Sequence, residues 1–279
     1  MITLKSDREF AKMAIAGACV AAVHEAVRNA AKPGVSLKDL DVIAADVTAE
    51  RGCIPSFLGY QPAPHQIPYP GHLCLSVNDV IVHGIPSEYR LRAGDVLSVD
   101  AGAIFEGFHG DAAFTIAIGE ASPEAARLIS ATEEGMWAGI RQVKAGNRVS
   151  DISAAVQAVG ERHGAGIVRE YVGHGIGRQM HEEPQIPNIG EPGRGIRLRT
   201  GMALCIEPMF NLGGWETTVD PDGWTVRTAD GSLSAHFEHT VAITKDGVKV
   251  MTLGEEPVDL VEITDSGYHY PPVLGTRKT

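Results

Sequence analysis

GVSLKDLDVIAADVTAERG (residues 34–52) aligns without a gap to GNRVSDISAAVQAVGERHG (residues 146–164). Gly34 and Gly146, Asp39 and Asp151, Leu40 and Ile152, Val47 and Val159, and Gly52 and Gly164 match in kind. Two more echoes follow in the same order. His-Gly-Ile occurs at 83–85 and at 174–176, and RAGDVLSVD (92–100) parallels RTGMALCIE (199–207). Chance explains one such match far more easily than three, so the chain reads as an internal repeat. The expectation is one α/β domain made of two related helix–helix–sheet halves, about 6–119 and 122–244. Each Arg-x-Gly segment ends in a carboxylate, Asp100 or Glu207. Halves that face each other bring both acids and both His-Gly-Ile segments to a shared seam.

Local signals fill in the halves. Ser6-Asp7-Arg8-Glu9 reads as a capping box. The helix it opens carries Met13, Ala16, Val20, Val23 and Val27 at helical spacing and stops at Lys32-Pro33-Gly34. A second helix is expected from about 36 to 51. Extended stretches follow: LCLSV (73–77), VIVHG (80–84), DVLSVDAGAI (95–104) and HGDAAFTIAIG (109–119), with turns at Asn78-Asp79 and Glu106-Gly107. Ser122-Pro123-Glu124 restarts the order as a cap followed by proline at the first helical position. That helix is expected to reach about Lys144. Another covers about 149–163, and strands continue to about 244.

The chain has 279 residues, 44% hydrophobic and 21% charged, which is ordinary for a soluble globular enzyme. Its net charge of −11 argues against a dedicated nucleic-acid binder, because neutralising phosphates takes clustered Lys and Arg. The first ten residues show no secretory signal, and the apolar run at 13–23 is too short to span a bilayer. Cys19, Cys53, Cys74 and Cys205 show no CxxC spacing, and a reducing cytoplasm is the plain reading.

Asp100 and Asp111 lie on adjacent strands of an expected hairpin. A loop at Phe105-Glu106 sets them directly opposite; a loop at Glu106-Gly107 sets them one diagonal step apart. Both registers put them on one sheet face. Two like charges side by side on an apolar sheet are costly unless a cation neutralises them. Glu207 ends the apolar MALCIE, and Glu238 lies in HFEHTVAIT. Taken alone, each acid is explained by an arginine partner or a turn. With His174 they make four carboxylates and one imidazole. That set suits two divalent first-row cations such as Mn, Fe or Co, and not a thiolate site. Two such ions sharing a hydroxide form a hydrolytic device.

GHGIGRQMH (173–181) crowds three glycines around His174. They are expected to let the backbone pass close to an ion where a Cβ would obstruct it. A phosphate cradle needs a helix directly after the glycines, and here the following His181-Glu182-Glu183-Pro184 brings two acids. His83 and His181 remain as non-ligand histidines able to contact substrate or donate to a developing oxyanion. His109 and His239 flank proposed ligands as supporting residues. His24, His65, His72, His163 and His269 read as surface or core residues. Cys74 and Cys205 fall near the site, with nothing to mark them as nucleophiles.

The segments HGIPSEYRLRAGDVLSVDAGAIFEGFHGDAA, VGHGIGRQMHEEPQIPN, GMALCIEPM, WTVRTADGS and FEHTVAIT resemble type I methionine aminopeptidases, over about residues 5–252. The resemblance implies the pita-bread fold, two pseudo-symmetric halves around a central antiparallel sheet. It implies two divalent ions (Co, Mn, Fe or Zn) on Asp100, Asp111, His174, Glu207 and Glu238. Asp111 and Glu238 would bridge them, and the Asp100 ion would also meet the substrate amine. His83 matches the histidine that contacts the amide being cut, and His181 the one that steadies the tetrahedral intermediate. Glu207 doubles as proton shuttle. The implied activity is removal of the initiator methionine from nascent polypeptides whose second residue is small. The expected setting is a cytoplasmic monomer with no membrane, with nascent N-termini and the ribosome as partners.

The chain also departs from the family pattern. The loop between Leu58-Gly59-Tyr60 and Cys74 is longer than the family's. Phe57, Tyr60, Tyr69, Met180 and Trp224 are the expected methionine pocket, and the insertion bears directly on Tyr60 and Tyr69. Residues 1–253 are expected to form the catalytic domain, with 254–279 an extension of unassigned role. Three rival readings stand beside this one. A relative acting on X-Pro bonds usually carries a further N-terminal domain, whereas this chain opens directly on the catalytic fold. A binding protein that kept the fold and lost catalysis would have lost ligands. A secondary-copy aminopeptidase would be specialised by its long loop.

Overall fold

The computed structural model describes residues 2–64 and 66–263. His65, His269 and residues 264–279 of the expected extension lie outside the described residues. The chain runs α1 (Asp7–Ala30), α2 (Leu37–Glu50), β1 (Ile54–Pro55), β2 (Leu73–Val77), β3 (Val80–Val82), β4 (Val96–Phe105), β5 (Phe108–Ala117), α3 (Pro123–Ile140) and α4 (Val149–His163). It continues through β6 (Gly166–Ile167), β7 (Gly173–Gly175), β8 (Glu182–Ile186), β9 (Ala203–Ile206), β10 (Met209–Asn211), β11 (Thr217–Val219), β12 (Val226–Thr228), β13 (Ser234–His236) and β14 (Glu238–Thr244). Then come β15 (Gly247–Val250), β16 (Val258–Asp259) and a 3-10 turn at Leu260–Glu262.

The repeat reappears as paired backbone geometry. Gly34 and Gly146 take φ of 93° and 102°, and Gly52 and Gly164 take 67° and 65°, left-handed values that a side chain would disfavour. Each half clamps the start of its second helix in the same way. The Gly34 N–H donates to Leu91 O and the Gly146 N–H to Leu198 O, at 2.8 and 3.0 Å. The Ser36 and Arg148 N–H groups donate to the Asp39 and Asp151 carboxylates three residues on, which satisfies amides that the helix itself leaves open. Further along, Gly94 and Gly201 donate to Ile118 O and Ile243 O, both at 2.8 Å.

The main sheet has ten strands, in the order β1-β4-β5-β14-β9-β7-β8, with β2 on β4, β15 on β14 and β16 on β15. Its pairings are antiparallel. The halves join where β5 pairs with β14, Ala113 opposite Glu238. One face carries Val99, Ala112, Phe114, Leu204, Ile206 and Val241, which pack with Val20, Val23, Met136, Trp137 and Ile140 from the helices into one buried cluster. The other face carries the polar residues discussed below.

Two expectations change. The third helix stops at Ile140 rather than near Lys144. Gln142 and Val143 donate to carbonyls three residues back, so the chain tightens and turns, which seats Val143 in the core. α1 as a whole, beyond the 13–23 run, is long and apolar enough to cross a membrane by length and composition. Here it buries Phe10, Met13, Val20, Val23 and Val27 inside the protein.

Candidate metal centre

The β4–β5 turn falls at Glu106-Gly107, with φ of 46° and 79°, the left-handed pair that suits a two-residue hairpin. This sets the register. Gly102 faces Asp111 and Asp100 faces Ala113, so the two aspartates stand one diagonal step apart. Ala113 also faces Glu238 on β14. Asp100, Asp111 and Glu238 therefore share one face across three strands. His174 on β7 is opposite Cys205 on β9, and Cys205 is opposite Thr240 on β14, which continues that face. Glu207 follows β9 directly. The five predicted ligands line one cavity of about 480 Å³ together with His83 and His181.

His174 Nδ1 lies 2.9 Å from Gly175 O. A carbonyl only accepts, so Nδ1 carries the proton and Nε2 presents its lone pair. That nitrogen faces Glu207 Oε1 at 3.3 Å. Either a proton on Glu207 or a cation between the two groups reconciles this contact. Asp100 Oδ1, Asp111 Oδ1, Glu238 Oε1 and His236 Nε2 are buried without a hydrogen-bond partner among the described residues. Orphaned buried acceptors are rare in proteins. Ligand atoms of Asp111, His174, Cys205 and Glu238 lie within 4.8 Å of one another, as do those of Glu207, His236 and Glu238. Oxygen donors with imidazole nitrogens fit divalent first-row cations.

The electrostatics agree. Burial pushes Asp100 up to about 7. Burial also pushes Asp111, Glu207 and Glu238 well above the usual carboxylate range, and their neighbours' negative charges add to it. Without a cation these acids hold protons; with one they release them. Burial lowers His83 to about 4 and His174 and His236 to about 3, so the rings are neutral. Burial pushes the Cys205 thiol well up, so it stays protonated.

The supporting contacts are specific. His181 Nδ1 lies 2.7 Å from the Tyr60 hydroxyl. His109 Nδ1 meets Ser56 Oγ at 2.9 Å, and His239 Nδ1 meets Thr252 Oγ1 at 2.8 Å. His24 is a buried core residue, His72 pairs with Asp41, and His163 pairs with Glu134. His83 holds a φ of 59°, uncommon for a residue with a Cβ. The rings of Tyr171 and Trp224 stand edge-on to it, at 5.5 and 6.1 Å. Phe57, Tyr69, Cys74, Met180 and Trp224 form a buried apolar cluster flanked by Tyr60 and Ile85. The long loop is pinched off beneath this cluster. Gly59 N–H donates to Tyr69 O and Tyr69 N–H donates to Tyr60 O, at 2.8 and 2.9 Å. The loop's Ile67 carbonyl accepts from Trp224 Nε1 at 2.8 Å.

Two sequence expectations need correction or addition. The glycines around His174 make room for neighbouring chain, not for an ion. A Cβ on Gly173 would meet Cys205 O at 2.4 Å, and one on Gly175 would meet Glu183 O at 2.3 Å. The next regular element is the strand β8, so no helix is there to receive a phosphate. His236 escaped the sequence reading. Its one signal was parity with Glu238, which places both on the same side of an extended chain.

Comparison with known proteins fits this geometry. The profile of metallopeptidase family M24 matches residues 11–245. The methionine aminopeptidase of Clostridium acetobutylicum is 48% identical over 256 residues, 91% of this chain and all of that one. The crystal structure of methionine aminopeptidase from Thermotoga maritima superposes with a TM-score of 0.87 at 41% identity, covering 90% of this chain and 99% of that one. A prolidase from Pyrococcus horikoshii, at 19% identity and TM-score 0.71, shares the fold alone. With the profile spanning both halves and relatives matching end to end, the chain belongs to metallopeptidase family M24, in its methionine aminopeptidase group.

Proposed function

We propose that this chain is a methionyl aminopeptidase that hydrolyses the first peptide bond of polypeptides beginning with methionine and a small second residue. One observation carries the reading. A closed apolar wall of Phe57, Tyr69, Met180 and Trp224 adjoins buried, unpaired carboxylates within one cavity. The wall suits one unbranched side chain. The acids suit cations, and Asp100 at the edge suits a free amino terminus as well. An anchor for the amine explains an exopeptidase rather than an endopeptidase.

In this reading Asp100, Asp111, His174, Glu207 and Glu238 are the residues that would hold divalent ions. Bound divalent cations supply acidified water at neutral pH and polarise the scissile carbonyl. Glu207 takes the proton released by the attacking water and delivers it to the leaving amine. Its partial opening to the cavity, with its side chain 13% exposed, lets it reach both. His83, neutral and held between Tyr171 and Trp224, meets the amide being cut. Burial and the nearby Asp111 charge push the Tyr60 phenol up, so its hydroxyl stays intact. That hydroxyl donates to His181 Nδ1, which leaves Nε2–H to donate to the developing oxyanion. The reading also takes the enzyme to be a cytoplasmic monomer acting on nascent chains at the ribosome. The four free, buried cysteines fit a reducing compartment.

The test is to strip the protein with chelator, restore Mn, Fe or Co separately, and assay Met-Gly-Met-Met beside Leu-, Ala- and X-Pro peptides. Metal-dependent release of methionine alone is expected. Bound metal without cleavage would favour a binding protein, and release of other residues would favour a copy specialised by its long loop.

A further inference from the structure

Four histidines in or beside the cavity are tethered through one ring nitrogen: His109 by Ser56, His174 by Gly175, His181 by Tyr60 and His239 by Thr252. His236 is different. Its side chain is 3% exposed, and its Nε2 has no hydrogen-bond partner among the described residues. That nitrogen faces Glu207 Oε2 at 3.8 Å and Glu238 Oε2 at 4.0 Å. These separations are too long for hydrogen bonds. They are the separations expected of two donors on opposite sides of a small cation.

The backbone that carries the ring is also braced on both sides of the residue. The His236 N–H donates to Thr115 Oγ1 at 2.9 Å, and the Thr115 hydroxyl donates back to His236 O at 2.7 Å. Across the small sheet His236 is in register with Met209, just beyond Glu207. A strand fixed on both sides thus delivers an unpaired nitrogen into an acidic cavity.

We propose that His236 is itself a cation ligand and that its Nε2 joins Glu207 and Glu238 around one of the two ions. This rests on the metal-centre reading above and adds a residue to it. His174 and His236 then both supply nitrogen to the cluster. A second imidazole makes the centre favour nitrogen-seeking ions such as Co and Zn, and it weakens the preference for Mn, which carboxylates alone satisfy.

The experiment titrates cobalt into metal-free wild-type protein and into His236→Gln, following heat and the visible absorption of Co(II). Manganese is titrated in parallel. Wild-type protein is expected to take up cobalt stoichiometrically. His236→Gln is expected to bind cobalt about tenfold more weakly or worse at one site, with an altered spectrum and a smaller change for manganese. Equal cobalt affinity and an unchanged spectrum would overturn the inference while leaving the metal centre intact. Failure of the wild-type protein to bind cobalt would overturn both. Should the variant fail to fold, nitrogen-15 NMR of wild-type protein decides: His236 Nε2 is expected to move to the metal-bound range on zinc loading. An unmoved signal would overturn the inference.

Discussion

Burial pushes Asp100 up to about 7, so protons and cations compete for it across the neutral range. The sign follows from linkage. A carboxyl raised above its unfolded value stabilises the metal-free fold at low pH, and that contribution is lost as pH rises through about 7. A bound cation displaces the proton, so the stability gained from metal grows over the same window. The rise in melting temperature on adding cobalt should therefore be larger at pH 8 than at pH 6, and equal shifts would contradict the account. Tyr60 gives a second prediction. Tyr60→Phe keeps the ring and loses the bond to His181, worth about 1 kcal/mol. It should lower kcat roughly five- to tenfold with little change in KM. A residue that only lined the pocket would move KM instead. The convergence of Asp100, Asp111, His174, Glu207 and Glu238 was legible in the sequence, because acids on apolar strands need a reason to be there. His236 was not legible. What marks it is the pairing of Thr115 with its backbone and its distance to two acids, and neither has a spacing signature.

Elements hold these side chains in place, and the N-terminal segment shows how. Lys5 Nζ meets Glu182 Oε2 at 2.7 Å, Lys5 being buried and Glu182 partly so, and Thr3 Oγ1 donates to the same carboxylate. Burial alone would raise Glu182; hydrogen bonds from Lys5, Thr3 and the Gln179 N–H outweigh it and hold the group low. Glu182 opens β8 and directly follows His181, so this pair secures the strand start next to a predicted catalytic histidine. Lys5→Ala leaves a buried charge unpaired and should lose about 3 kcal/mol in a denaturant melt. Adding Glu182→Gln should recover part of that loss, and no recovery would mean that Lys5 acts through packing alone. Most element positions were readable from caps, turn residues and periodicity. The end of α3 was not, because the pull that seats Val143 in the core is tertiary. The purpose of Gly173 and Gly175 was misread for the same reason, since their close neighbours come from β9 and the start of β8.

At the scale of the whole molecule, the repeat in the sequence becomes a seam in the structure, where β5 of one half pairs with β14 of the other. The seam explains why one cavity collects ligands from both halves: Asp100 and Asp111 from the first, His174, Glu207 and Glu238 from the second. Three short sequence echoes were enough to anticipate it, and two of them mark glycines that take the same left-handed backbone in both halves: Gly34 and Gly146, Gly52 and Gly164, Gly94 and Gly201. The central claim is that this seam is a divalent metal centre. Anomalous diffraction from crystals of the cobalt-loaded protein tests it most directly. The account predicts two cobalt peaks in the cavity, one beside His174 and both in contact with Asp111 and Glu238. Cobalt peaks elsewhere on the molecule with none among these carboxylates would contradict it.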